Sequence, residues 1–163
     1  MNVIQKPQLI SQIIERLKKE VQMMTLAAQA AHEAATHEES KSEDQHDTRG
    51  LEASYLAGAQ ASRAEELSRT IQMLKELRVP KFDEESPIAP GALISVEVDE
   101  RESLYFLIPE GAAGITLESA GHKVQVITTR SPIGEALLGR TAGEFAEVET
   151  GKKTLEMDIL SVF

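Results

Sequence analysis

Apolar and small residues recur at Ile10, Ile14, Leu17, Val21, Met24, Ala28, Ala31 and Ala35, in steps that alternate four and three. That spacing draws a single stripe along an α-helix and is the signature of a heptad seam. Pro7 suits the first turn, where a missing N–H costs nothing. A second helical segment is expected from about Leu51 to Arg78, with a weaker stripe of Ala57, Ala64, Leu67, Ile71 and Leu74. The first stripe runs from large residues to alanines and the second from small residues to large. If the chain doubles back near residues 40 to 48, Ile14 faces roughly Leu74, and Ala31 faces Leu56 or Ala57. Large side chains then meet at the base and small ones near the tip. The pattern predicts an antiparallel two-helix coiled-coil hairpin over residues 1–79, with its tip at about 38–50. Each helix would be ~45 Å long, at about 1.5 Å per residue.

The grammar changes after residue 79. Residues 8 to 78 hold two glycines and no proline, whereas residues 80 to 163 hold eight glycines and five prolines. The segment VPKFDEESPIAPG (Val79–Gly91) reads as the connection, with the linker at 80–91 and a second domain at 92–163. ALISVEVDE (Ala92–Glu100) and ESLYFLIPE (Glu102–Glu110) predict a strand pair joined near Asp99–Arg101. KVQVITTR (Lys123–Arg130) alternates and is rich in β-branched residues. FAEVET (Phe145–Thr150) and TLEMDILSVF (Thr154–Phe163) predict a closing hairpin. In SPIGEALLG, Ser131 fits an N-cap, Pro132 the first helical position and Gly139 the stop. One short helix, Pro132 to Leu138, would lie on a small antiparallel sheet. The fold class expected is therefore α+β.

Composition narrows the chemistry. The 163 residues contain no cysteine, so disulfides, thiolate metal sites and cysteine nucleophiles are excluded. A net charge of −10 opposes direct grip on a phosphate backbone and suits a basic partner or bound cations. Aromatics are 4% of the chain, thin for an aromatic-lined pocket. No stretch approaches the ~20 apolar residues of a membrane span, and a cytoplasmic protein is expected. The densest charge lies at the hairpin turn, where Glu38, Glu39, Glu43, Asp44 and Asp47 surround Lys41. Most such runs are solvated turns. His32, His37 and His46 lie nearby, but the spacing of His32 and His37 does not put a ligand pair on one helical face.

The stretch VITTRSPIGEALLGRTAGEFAEVETGKKTLEMDILSV (Val126–Val162) resembles the C-terminal domain of the Gre family of bacterial transcription elongation factors. That family pattern has a strand, Ser-Pro, a short helix ending in Ala-Leu-hydrophobic-Gly, a glycine-acid turn, Val-Glu-Val and a final strand ending in Ile-Leu. The order of parts is similar too, a hairpin followed by a β domain. The resemblance implies an FKBP-like C-terminal domain and binding to the multisubunit bacterial RNA polymerase. The C-terminal domain would dock at the β′ subunit, through Ser131, Pro132 and the preceding Arg130, where relatives often carry Asp or Asn. The coiled coil would enter the secondary channel, and acidic tip residues would help hold a second Mg²⁺ for cleavage of backtracked RNA. The chain would then act in trans, as a monomer, with no cofactor of its own beyond the polymerase's Mg²⁺ and with nucleic acid reached only through the polymerase.

The tip departs from the family motif Asp-Leu-Ser-Glu-Asn-Ala-Glu-Tyr. Here the stretch is DTRGLEASY (Asp47–Tyr55). Counted back from Tyr55, the family glutamate falls on Leu51 and the family aspartate on Thr48, and neither binds metal. A local shift makes Asp47 and Glu52 the acidic pair, with Asp44 as a further Mg²⁺ contact, provided that Gly50 breaks the helix between them. Two functions stay open: stimulation of RNA cleavage, or regulation or inhibition of the polymerase without it. Another class also stays open, an FKBP-like prolyl isomerase or an adaptor. Isomerase chemistry needs an aromatic-walled apolar pocket, for which Phe82, Tyr105, Phe106, Phe145 and Phe163 are the available aromatics.

Overall fold

The computed structural model describes residues 3–36 and 49–163, and among those the side chains of all but 35, 36, 49–54 and 57. The described chain divides into two compact units, Met1–Ile14 with Met73–Phe163, and Glu15–Gln72. Two long helices, α1 (Lys6–Thr36) and α2 (Arg49–Glu76), form the expected helical hairpin. Six strands follow, β1 (Leu93–Val98), β2 (Arg101–Ile108), β3 (Thr116–Ser119), β4 (His122–Thr128), β5 (Phe145–Thr150) and β6 (Lys153–Val162), with α3 (Pro132–Leu137) between β4 and β5.

In the second unit, Leu17 of α1 and Leu67, Thr70 and Ile71 of α2 are buried, and beyond them along α1 only Ala31 is buried among the described residues. Val21, Met24 and Ala28, on the same seam, are half-buried. The Thr70 hydroxyl is satisfied within its own helix, donating to the Glu66 carbonyl at 3.1 Å. Arg63 of α2 reaches Glu20 of α1 at 3.7 Å, an exposed cross-helix pair worth little by itself.

In the first unit, α1 contributes Leu9, Ile10 and Ile13, and α2 contributes Leu74, all buried. Leu9 and Ile13 lie off the predicted seam, yet both are fully buried. A heptad reading finds one stripe only. These first turns need a wider apolar arc, because they share their unit with the β-sheet.

The sheet has the order β3-β4-β2-β1-β6-β5. Its pairs are antiparallel except β2 and β4, which run parallel with Leu104 opposite Val124. β3, which local pattern did not mark, pairs with β4 through a two-residue turn at Ala120 and Gly121. Both residues of that turn have positive φ, at 54° and 79°. The β1–β2 turn does the same at Asp99 and Glu100, with φ of 49° and 62°. Positive φ at both central positions gives the turn whose twist matches paired strands.

Alternation sorts the sheet residues to two faces. One face carries Ile94, Val96, Tyr105, Leu107, Ile127, Ala146, Val148, Met157 and Ile159, packed with Leu137 of α3. The other carries Leu93, Phe106, Leu117, Val124 and Val126, also buried. Ser95 on this face is buried, and its hydroxyl donates to Glu102 Oε1 at 2.6 Å.

The segment 80–91 is held by main-chain bonds. Ile88 N donates to Arg140 O at 2.7 Å, Gly139 N to Ile88 O at 2.8 Å, and Gly91 N to Leu107 O at 2.8 Å. At its start the Asp83 carboxylate accepts from the Ser86 hydroxyl at 2.6 Å and from Glu85 N at 3.1 Å. The Ser86 hydroxyl bond holds the Asp83 pKa below its ordinary value. Among the described residues no helix is long and apolar enough to cross a membrane.

Candidate functional site

The loop between β4 and α3 is built by one serine and one glycine. Ser131 is the N-cap of α3, with Pro132 in the first turn. Its Oγ accepts from Gly134 N at 3.1 Å and donates to Thr128 O at 2.8 Å. Glu135 N donates to the Ser131 carbonyl at 2.8 Å. Thr128 O also accepts from Ser131 N at 3.1 Å, so the last residue of β4 and the cap form a closed turn. Gly134 sits directly against that turn, where an added Cβ would stand 1.8 Å from Thr128 O. Thr129 ties the loop to the end of β2, its hydroxyl donating to Pro109 O at 2.9 Å and its N–H to Ile108 O at 3.2 Å.

Arg130 and Pro132 are exposed on this fixed turn, and Ser131 is half-buried beneath them. Among the described residues Arg130 forms no ion pair. The structure thus brings Arg130, Ser131 and Pro132 together as one presented surface: a cation and a rigid ring, held by a capped helix start. Gly134, Thr128 and Thr129 were not singled out from the sequence. Gly134 stands in the SPIG run, but its need to be glycine follows only from the nearness of Thr128 O.

At the other candidate site, Asp44 and Asp47 lie outside the described residues, as do His37 and His46. Glu52 belongs by its backbone to α2, which begins at Arg49. Arg49 and Gly50 are both helical, so the chain does not break at Gly50. Among the described residues no three His, Asp or Glu side chains gather to hold a metal ion. Of the five aromatics after residue 79, Tyr105 and Phe106 are buried on opposite faces of the sheet, Phe82 packs half-buried against the core cluster that holds Tyr105, and Phe145 and Phe163 are exposed.

A family profile described as transcription elongation factor GreA/GreB, C-terminal, matches residues 83–163, which contain this loop, α3 and all six strands. The chain belongs to the GreA/GreB family. Its Gre domain accordingly carries the Ser131–Pro132 turn where β4 hands over to α3. Over most of the chain, the transcription elongation factor GreA of Thermomicrobium roseum is 27% identical over 135 residues, covering 83% of this chain and 80% of that protein. Among solved structures, the GreA factor homolog 1 (Gfh1) of Thermus thermophilus is 19% identical, with a TM-score of 0.37, and covers 92% of this chain and 94% of that one. Gfh1 of Thermus aquaticus is 23% identical, with a TM-score of 0.40, covering 93% and 92% respectively. By the GreA/GreB profile and the GreA relative, the chain is a Gre-like elongation factor.

Proposed function

We propose that this Gre-like factor binds bacterial RNA polymerase and regulates elongation from within the secondary channel. The observation that carries the reading is the GreA/GreB match over residues 83–163, joined in one chain to a helical hairpin. In this reading the turn of Arg130, Ser131 and Pro132 contacts the β′ subunit. Arg130 favours an acidic patch on that partner, since charge complementarity sets docking orientation and on-rate. The ring of Pro132 adds a contact whose geometry is fixed before binding, so little ordering cost opposes association.

The hairpin delivers carboxylates to another protein's active site. Asp44, Asp47 and Glu52 would contact a Mg²⁺ of the polymerase. Such an ion accepts one or two carboxylates and supplies charge stabilisation and water activation when bound. The chain contributes position and ligands, not a reaction of its own.

A second reading is regulation or inhibition of the polymerase without cleavage. It is favoured by Thr48 and Leu51 in the register of the family's acids, and by a helix that already includes Arg49 and Gly50. One experiment separates the readings. Purified polymerase in backtracked complexes is mixed with the wild-type chain and with Asp47→Ala, Glu52→Ala and Pro132→Ala. The cleavage reading expects stimulated release of 3′ RNA fragments, reduced at least about 100-fold by either acid substitution, the scale on which a positioned catalytic group acts. Binding without stimulated release selects the regulator. No binding by the wild type removes both, and unchanged affinity of Pro132→Ala removes the docking turn.

A further inference from the structure

Where β1, β6 and β5 adjoin, one face of the sheet is left open. Glu97 of β1 lies opposite Glu102 of β2 and Asp158 of β6, and Asp158 lies opposite Phe145 of β5. Glu147 lies opposite Glu156. Opposed residues share a face, and so do residues two apart on one strand, which adds Glu149. All six carboxylates are exposed. The reverse side of these strands is buried, with Val96, Ala146, Val148, Met157 and Ile159 in the core that holds Leu137 of α3. No lysine or arginine of the four strands falls in the acidic register: Arg101 opposes Val98 and Lys153 opposes Thr150, each one step out of phase. Among the described residues none of the six acids forms an ion pair.

Two large apolar side chains stand among these acids. Phe145 is 42% exposed and Leu160 47%. Leu160 sits at a bulge, where Ser95 pairs with Ser161 and Val96 with Ile159. Ile159 before it is buried on the covered side, so Leu160 is turned to the acidic one. A solvated sheet face gains from opposite charges set across its strands. Here Glu97 faces both Glu102 and Asp158, and Glu147 faces Glu156, which costs stability. Cations brought by a covering partner reverse the sign of that contribution.

The chemistry of the face narrows its occupant. Nucleic acid and anionic membranes carry the same sign of charge and are repelled. Among the described residues no three His, Asp or Glu side chains gather to hold a metal ion, so the acids form a spread surface and not a cation cage. A second copy packed face to face would set like charges together. The complement is a surface with cations flanking an apolar stripe. A helix is ~10 Å across and strands lie ~4.8 Å apart, so one helix covers about two strands, as the apolar pair on β5 and β6 requires. We propose that this face docks a basic amphipathic helix of a protein partner, its apolar stripe on Phe145 and Leu160 and its Lys or Arg side chains on the surrounding carboxylates. The surface is distinct from the Arg130 turn, whose cation calls for a partner of the opposite sign.

The test is an amide NMR titration of the full ¹⁵N-labelled chain with a peptide of about 14 residues, four helical turns of leucine and lysine with the leucines in one stripe. Saturable shifts are expected at residues 97, 102, 145–149 and 156–160. A lysine–serine peptide of equal charge, and the leucine peptide with glutamate in place of lysine, are expected to give none there at equal concentration. Two double variants probe the two halves of the recognition, and all four positions are exposed, so the core is untouched. Phe145→Ser with Leu160→Ser should weaken binding about tenfold or more, the scale of a lost interface anchor. Glu147→Lys with Asp158→Lys should do the same and reduce the salt dependence. Equal binding of the lysine–serine peptide would mean that charge alone attracts it. Shifts confined to the acidic run at residues 38–47, or full affinity in either double variant, would place the peptide elsewhere. A dimer of the chain alone in sedimentation, lost in Leu160→Ser, would give the face to a second copy. Each of these results overturns the proposal and leaves the polymerase reading untouched.

Discussion

At Gly134 the constraint is a backbone atom, the Thr128 carbonyl oxygen, which cannot rotate away as a side chain would. Gly134→Ala should therefore force the start of α3 off β4 and cost about 1–3 kcal/mol, the usual range for overpacking. Urea denaturation measures this, and a loss below about 0.5 kcal/mol would mean that the turn yields easily. Under the proposed docking, the same substitution should weaken polymerase binding, because Arg130 and Pro132 sit on the turn that moves. Ser131 was legible from sequence because capping is a local rule, a serine before Pro132 and a glycine after the helix. Gly134 was not, because its constraint comes from a residue on the preceding strand.

Among the elements, the sheet carries an unfavourable row. Glu102 of β2 lies opposite Glu97 of β1, Glu97 opposite Asp158 of β6, and Asp158 opposite Phe145 of β5. Glu147 lies opposite Glu156 in the next hairpin. All five carboxylates are exposed. Like charges directly opposite one another destabilise a sheet by a fraction of a kcal/mol per pair. Asp158→Asn relieves the contact with Glu97 and should raise stability by about 0.5 kcal/mol in low salt. The gain should shrink in about 1 M salt, where the screening length falls to ~3 Å. A gain that does not change with salt would point to packing against Phe145 instead. This row was invisible along the chain, where the residues concerned lie in four separate strands.

For the whole molecule, burial is uneven along the hairpin. Leu9, Ile10, Ile13 and Leu17 of α1 and Leu67, Ile71 and Leu74 of α2 are buried, whereas Met23, Leu26, Tyr55 and Leu56 are 54–70% exposed. Each buried aliphatic side chain contributes roughly 1.5–3 kcal/mol relative to exposure. Helices this long gain most of their stability from packing, not from propensity. Native-state hydrogen exchange should therefore show strong protection at residues 9–17 and 67–74, and protection lower by at least about tenfold at residues 22–34 and 55–62. Uniform protection along both helices would contradict this ordering.

The sequence by itself determined the hairpin, the change of grammar after residue 79, most of the strands, the short helix and the Gre resemblance. Heptad spacing, strand alternation and capping are local physics, readable within a few residues. Tertiary structure alone decided the rest. Leu9 and Ile13 are buried because their unit adds a sheet to the helix base, which no stripe on α1 records. β3 is short, with four residues, and exists through pairing with β4. The parallel register of β2 with β4 joins segments separated by a whole strand. Lys6 at the start of α1 donates to the carbonyl of Pro80, 74 residues away in sequence. Contacts between segments so far apart depend on how the chain closes in space, and that closure is a property of the packed core as a whole.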